Sequence, residues 1–93
     1  MNANPIEQLV AGQRRFFASG RTLDLAFRKQ SLVALKAAIL AHEAEINAAL
    51  MADLGKSATE TYMCETGMTL SELTYMIGHL KRFAKKHRVL TPL

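Results

Sequence analysis

The sequence predicts an all-α fold of three or four helices, the last of them long, and three observations support this prediction. Apolar residues recur at three- and four-residue spacings along most of the chain, which is the period of an amphipathic helix. Residues that favour helix starts and stops stand between these apolar stretches. The strict alternation of apolar and polar residues that indicates a strand does not occur, so we expect no sheet.

Length and composition limit the class of protein. Ninety-three residues suffice for one domain or part of one, and 49% apolar residues are too many for a disordered chain. No apolar run approaches the roughly 20 residues of a membrane span, and the first residues lack the pattern of a signal peptide. A single cysteine cannot form an intrachain disulfide. We therefore expect a cytoplasmic protein.

The first three helices are predicted from their ends. Asn4 and Pro5 are typical of a helix start, with Glu7 at the capping-box position, and Gly20 is suited to the left-handed turn after the last residue. These signals predict helices over about 5–19, 24–41 and 43–54. The second helix begins near Asp24, the apolar stripe is interrupted at His42, which separates the second helix from the third, and Gly55-Lys56 ends the third helix.

The fourth helix is predicted over about 58–87. Ser57 and Glu60 have the spacing of a capping box, and Pro92 follows the predicted end. Its apolar stripe consists of Met63, Gly67, Leu70, Leu73, Ile77, Leu80 and Ala84. Such a rod is roughly 45 Å long, whereas a compact chain of this length is roughly 30 Å across. We therefore expect part of the stripe to pack on further residues of a longer chain, on a second copy or on another protein.

Several motifs follow one another at characteristic spacing. They are Phe16-Phe17-Ala18-Ser19-Gly20-Arg21-Thr22, Phe27-Arg28, Leu32-x-x-Leu35, Ala52-Asp53-Leu54-Gly55-Lys56-Ser57 and Glu72-Leu73-Thr74-Tyr75-Met76-Ile77. In this order the set resembles the start of class 3 aldehyde dehydrogenases. The resemblance runs from about Leu9 to Leu90, and it depends on the ordered set because no single motif is diagnostic.

The resemblance implies a parent enzyme of several hundred residues that oxidises aldehydes to carboxylic acids with NAD or NADP. In that family a cysteine thiolate attacks the aldehyde, hydride passes to the nicotinamide and a glutamate-assisted water releases the acid. The family carries these groups in later domains. The chain is thus expected to be an N-terminal fragment of the aldehyde dehydrogenase fold rather than a complete domain. It would pack on the cofactor domain, bind no cofactor and be inactive alone.

Cys64 and Met68 are the candidate site residues. Cys64 is not expected to be the nucleophile, because it lies in mid-helix with no basic residue one turn away and with Glu60 and Glu65 nearby. In relatives of the resembled family, one face of the corresponding helix helps to line the aldehyde entrance. Cys64 and Met68 are four residues apart and therefore neighbours on that face. The alternative is that both are ordinary core residues.

The other polar patterns are weaker indications of a functional site. His42, His79 and His87 lack the spacing of a metal site. The basic run Lys81–Arg88 is typical of nucleic-acid arms and calmodulin-target-like segments, but also of a solvated helix end that complements the helix dipole. The pairs Arg14-Arg15 and Arg28-Lys29 fall on polar helix faces. We expect neither a metal nor nucleic-acid binding.

A second hypothesis is a self-associating helical interaction module whose basic helix end meets an acidic partner. This hypothesis is supported by the same uncovered apolar stripe of the long helix. On either hypothesis the isolated chain should form a homo-oligomer. The presence or absence of alternating strands and helices, a Gly-rich turn and a reactive cysteine beyond residue 93 distinguishes the two.

Overall fold

The computed structural model describes residues 4–93, and within that range it contains helices and turns but no strand. The elements are α1 (Pro5–Ala18), a 3₁₀ turn (Arg21–Leu23), α2 (Leu25–Ala41), α3 (Glu43–Leu54), α4 (Ala58–Thr61), a π-helical turn (Tyr62–Thr66) and α5 (Gly67–Phe83). The last three are continuous and form one long helix. The predicted all-α fold with a long last helix is confirmed.

Three polar side chains start the helices, as their positions in the sequence predict. Each accepts a hydrogen bond from a backbone N–H two or three residues further on, which satisfies a donor that the helix itself leaves free. The pairs are Asn4 with Ile6 at 2.9 Å, Asp24 with Ala26 at 3.1 Å and Ser57 with Glu60 at 3.2 Å. Local sequence therefore determines where α1, α2 and the long helix begin.

The ends of the first three helices also match their sequence signals. Gly20, which follows the C-cap Ser19 of α1, and Gly55, the C-cap of α3, adopt left-handed conformations with φ of 79° and 65°. Glycine accepts this conformation without the steric cost that a Cβ would add. His42, at φ −104° and ψ 17°, separates α2 from α3 and confirms the predicted break.

The long helix differs from the prediction at its end. It stops at Phe83, whereas the pattern predicted an end near residue 87. Residues 84–93 are all exposed, so packing adds nothing to hold them helical. A continued helix would also set Lys81 against Lys85 and Arg82 against Lys86, one turn apart, and like charges at that spacing are unfavourable.

A second difference lies inside the long helix, where the π turn interrupts the α-helical pattern. A π turn closes its hydrogen bonds over five residues instead of four, so it rotates the residues before it relative to those after it. The predicted stripe is split as a result. Leu73 is buried and Leu70 and Ile77 are half-buried, whereas Met63 remains 67% exposed.

The helices pack as an open assembly. α5 packs against α2, α3 contacts α4, and Phe16 of α1 meets Phe27 of α2 with ring centroids 5.7 Å apart. Within residues 4–93, Leu73 is the one buried apolar side chain, and twenty large apolar side chains are exposed. The radius of gyration is 18.5 Å, against about 12 Å for a compact domain of this length. The expected uncovered apolar surface is confirmed.

None of the helices within residues 4–93 combines the length and the apolarity that crossing a bilayer requires.

The π turn generates a prediction about Gly67. A Cβ at this position would collide with the carbonyl oxygen of Tyr62, five residues earlier, whereas a Cβ at Gly78 in the same helix meets nothing within 4 Å. Gly67→Ala should destabilise the chain by about 1 kcal/mol or more. Gly78→Ala should stabilise it by about 0.5–1 kcal/mol, the ordinary helix preference. Chemical unfolding followed by circular dichroism measures both, and equal effects at the two positions would contradict the predicted steric constraint.

Candidate functional site

An open groove of about 610 Å³ runs along the long helix, across the junction of the π turn with α5. We call it the helix groove. It is lined by Tyr62, Met63, Gly67, Met68, Ser71, Glu72 and Tyr75. The lining includes two tyrosine rings, two thioethers and one carboxylate. This lining is apolar and adaptable, with few polar groups, as is usual where a small organic molecule is bound or guided.

The groove exists because of the π turn and Gly67. The extra residue in the turn rotates Met63 toward the side of Met68, and Tyr62 and Tyr75 complete the lining. Gly67 adds no side chain between them, and an ideal Cβ there would also come within 3.4 Å of the Tyr62 ring. The π-helical turn is thus a structural cause of the groove, which agrees with the frequent occurrence of such turns at functional sites.

The structure separates the two candidate site residues. Met68 lies in the helix groove and is 62% exposed. Cys64 is also exposed but is not among the residues that line the groove. The two are four positions apart, yet Cys64 belongs to the π turn, so the neighbour relation of a regular α-helix does not hold there. Tyr62 and Tyr75 are groove residues that the sequence pattern did not single out.

Lys56 is a basic neighbour of Cys64 that the sequence pattern also missed. The left-handed turn at Gly55 folds the chain back, and Lys56 Nζ forms an ion pair with Glu65 Oε1, nine residues further on. The hydrogen bond to Glu65 raises the pKa of Lys56 above its ordinary value of 10.5, with smaller contributions from the nearby Cys64 and Glu60, while partial desolvation opposes the shift. The glycine after α3 was the signal for this approach, because it indicates a reversal of the chain.

The histidines have separate local roles. His42 Nδ1 lies 3.0 Å from the Glu45 carboxylate at the break between α2 and α3, in an exposed position. The His79 ring stacks on Tyr75 with centroids 4.2 Å apart, and its Nδ1 donates to the Tyr75 carbonyl at 2.8 Å. Among residues 4–93 there is no group of three or more His, Cys, Asp or Glu side chains that could hold a metal ion.

Comparison with known proteins identifies relatives for nearly the whole chain, although no protein-family model matches it. A 4,4'-diaponeurosporen-aldehyde dehydrogenase of Staphylococcus aureus is 40% identical over 90 residues, which is 97% of this chain and 20% of that enzyme. Aldehyde dehydrogenase family 3 member A2 of Mus musculus is 40% identical over 79 residues, 85% of this chain and 16% of the relative. The dimeric NADP-preferring aldehyde dehydrogenase of Canis lupus familiaris is also 40% identical over 79 residues, 85% of this chain and 17% of the relative.

These relatives place the chain among the aldehyde dehydrogenases by sequence similarity. Within that group it belongs to the class 3 family and corresponds to the family's N-terminal helical segment. The resemblance inferred from the ordered motifs is confirmed. The chain spans about one fifth or less of the length of the relatives it matches.

The ion pair of Lys56 with Glu65 generates a prediction about pH. The pKa of Lys56 is raised in the folded chain. The contribution of the ion pair to stability is therefore fully present below pH 10.5, and it is lost as the pH rises through the folded-state pKa of Lys56. Lys56→Met should therefore be less stable than the unmodified chain at about pH 9, and the difference should shrink by about pH 11.5. Lys56→Arg is the control, since arginine stays charged and should keep its pairing.

Urea unfolding midpoints of the three chains at both pH values measure this effect. A difference between Lys56→Met and the unmodified chain that does not change with pH would contradict it.

Proposed function

We propose that the chain is the N-terminal helical region of an NAD(P)-dependent aldehyde dehydrogenase that oxidises aldehydes to carboxylic acids. The observation that carries the proposal is the identity of up to 40% to aldehyde dehydrogenases over nearly the whole chain. The parent's use of NAD or NADP follows from these relatives, one of which is named NADP-preferring. The reaction itself would depend on residues outside this segment.

The role of the segment is to pack on the cofactor domain of the parent. Its open shape and the exposed large apolar side chains of its helices support this role, because an isolated segment with so little internal packing gains stability from a larger body. Exposed apolar residues occur on every long element: examples are Leu9 of α1, Val33 of α2 and Met76 of α5. Burying them against an enzyme body would complete a core that the chain leaves unfinished.

The segment supplies no cofactor site of its own under this proposal. A dinucleotide site needs parallel strands, each followed by a helix, and a Gly-rich turn through which the backbone approaches the phosphates. Residues 4–93 contain no strand, and the two left-handed glycines, Gly20 and Gly55, each follow a helix. These features support the proposal that the segment binds neither NAD nor NADP, and we assign no reaction step to its residues.

The proposal is tested by exchange of the segment. The corresponding segment of the Staphylococcus aureus relative is replaced by this chain, and aldehyde-dependent formation of NADH or NADPH is measured. We expect the chimera to be active, the relative without its segment to be inactive or insoluble, and the 93-residue chain alone to be inactive. Production of reduced cofactor by the chain alone that disappears in Cys64→Ser would contradict the proposal.

A finer proposal concerns the entrance for the aldehyde. The helix groove, with Met68 on its wall, would form one side of the substrate entrance, while Cys64 would lie at its edge. The open form and apolar lining of the groove support this role. The remaining walls would come from other parts of the parent enzyme.

The entrance proposal predicts the effect of a larger side chain at position 68. In the active chimera, Met68→Trp should raise KM for bulky aldehydes several-fold more than for short ones, and leave KM for the cofactor unchanged. Met76→Trp is the matched control, since Met76 is an exposed methionine of the same helix outside the groove. Equal effects of the two substitutions on bulky and short aldehydes would contradict a role in the entrance.

A second candidate function is a self-associating helical interaction module, which the exposed apolar side chains on every helix also favour. For the isolated chain we expect self-association on either proposal, because association removes apolar surface from water. Light scattering combined with gel filtration should give a molar mass above the 10.3 kDa of one chain. A monomer that unfolds cooperatively would contradict this expectation, and dissociation on addition of the segment-deleted relative would favour the enzyme over the module.

A further inference from the structure

The long helix ends in a strongly basic surface that the proposed function does not use. We call residues 81–90 the basic segment. It carries five Lys or Arg residues and no acid: Lys81, Arg82, Lys85, Lys86 and Arg88. Every residue of the segment is exposed, and within the described part of the chain none of the five cations forms an ion pair. The charge therefore faces solvent without compensation.

Apolar side chains accompany these cations. Phe83 lies in the last turn of α5 and is 43% exposed, while Val89 and Leu90, which follow the cations, are 87% and 97% exposed. The Arg82 guanidinium lies over the Phe83 ring, 5.7 Å from its centroid, so cation and apolar surface are immediate neighbours. Aliphatic and aromatic side chains next to several Lys and Arg residues are the composition of segments that bind at a bilayer interface.

The same features argue against a nucleic acid as the partner. Binding to a phosphate backbone requires a basic path over the surface, usually with polar or aromatic side chains that reach or stack on bases. Here the chain preceding the basic segment is acidic: residues 43–80 carry six Asp or Glu residues and one Lys. The Phe83 ring already packs against Tyr75 and His79, with centroids 5.9 Å apart in both pairs. Val89 and Leu90 have no stacking surface and no hydrogen-bonding side chain, but they gain free energy when they enter an acyl boundary.

We propose that the basic segment docks the chain on the surface of a bilayer that contains anionic lipids. The cations contact the lipid phosphates, and Val89 and Leu90 insert at the level of the headgroups. The segment lies on the surface and does not cross it, since it is too short to span the hydrocarbon core. Binding of this kind is weakened by salt and requires anionic lipid.

Co-sedimentation with vesicles tests the proposal on the intact chain. Vesicles of phosphatidylglycerol and phosphatidylcholine should bind the chain, and pure phosphatidylcholine vesicles should bind it at least about tenfold more weakly. Lys85→Glu combined with Lys86→Glu should lower binding to the anionic vesicles at least about tenfold, given the contribution of each basic residue near such a surface. Arg14→Glu combined with Arg15→Glu is the matched control, because it removes an adjacent exposed basic pair of α1 with the same change in net charge.

Each outcome decides the question. Loss of binding in the double variant at 85 and 86 together with retention in the control supports docking through the basic segment. Equal losses in both variants would mean that net charge alone governs binding and would overturn the proposal. Equal binding to both kinds of vesicle, or tighter binding of a single-stranded RNA than of anionic vesicles through the same residues, would overturn it as well. Circular dichroism verifies that both variants keep the helical content of the unmodified chain.

Fluorescence provides a second readout, and the tryptophan variants that it uses leave the net charge of the chain unchanged. The chain has no tryptophan, so a single introduced tryptophan reports on its own surroundings. Leu90→Trp should show a blue shift of its emission on addition of anionic vesicles. Leu40→Trp, at an exposed position of α2, should show none. A shift at position 40 but not at position 90 would overturn the proposal, even if the chain sediments with vesicles.

Discussion

The packing of α5 on α2 is the interaction on which the rest of the structure depends. It buries Leu73, the one apolar side chain of residues 4–93 that is shielded from water, and half-buries Leu70 and Ile77 beside it. The other helices are placed relative to this pair: α1 through the contact of Phe16 with Phe27 and α3 through its contact with α4. Because this packing buries so little apolar surface, the stability of the chain depends on what covers the exposed apolar side chains.

The features that local interactions determine could be predicted from sequence. Asn4, Asp24 and Ser57 start helices because their side chains satisfy nearby backbone donors, and Gly20 and Gly55 end them because they accept a left-handed conformation. Both rules act within a few residues, so the positions where helices begin and end can be predicted from a single sequence. The uncovered stripe was also predictable, since it follows from the length of the last helix compared with the size of the chain.

The candidate site was less predictable, because its geometry depends on a non-standard turn. Regular helical spacing makes Cys64 and Met68 neighbours, but Cys64 belongs to the π turn, and Met68 lies in the helix groove while Cys64 is outside its lining. Gly67 was assigned to the apolar stripe, where a glycine carries little information. Its actual importance is the close approach to the Tyr62 carbonyl, which only three-dimensional structure reveals. Lys56 was missed for a similar reason, since a turn brings it to Glu65 from nine positions away.

The π turn has a consequence for how the long helix relates to its neighbours. One additional residue in a helical turn changes the direction of side chains by about 100°. The part before the turn contacts α3, and the part after it packs on α2, so one long helix has a different neighbour on each side of the turn along its length. In a regular helix the same face would continue along the whole length. The extra residue thus allows the two parts of one uninterrupted helix to present different faces to their neighbours.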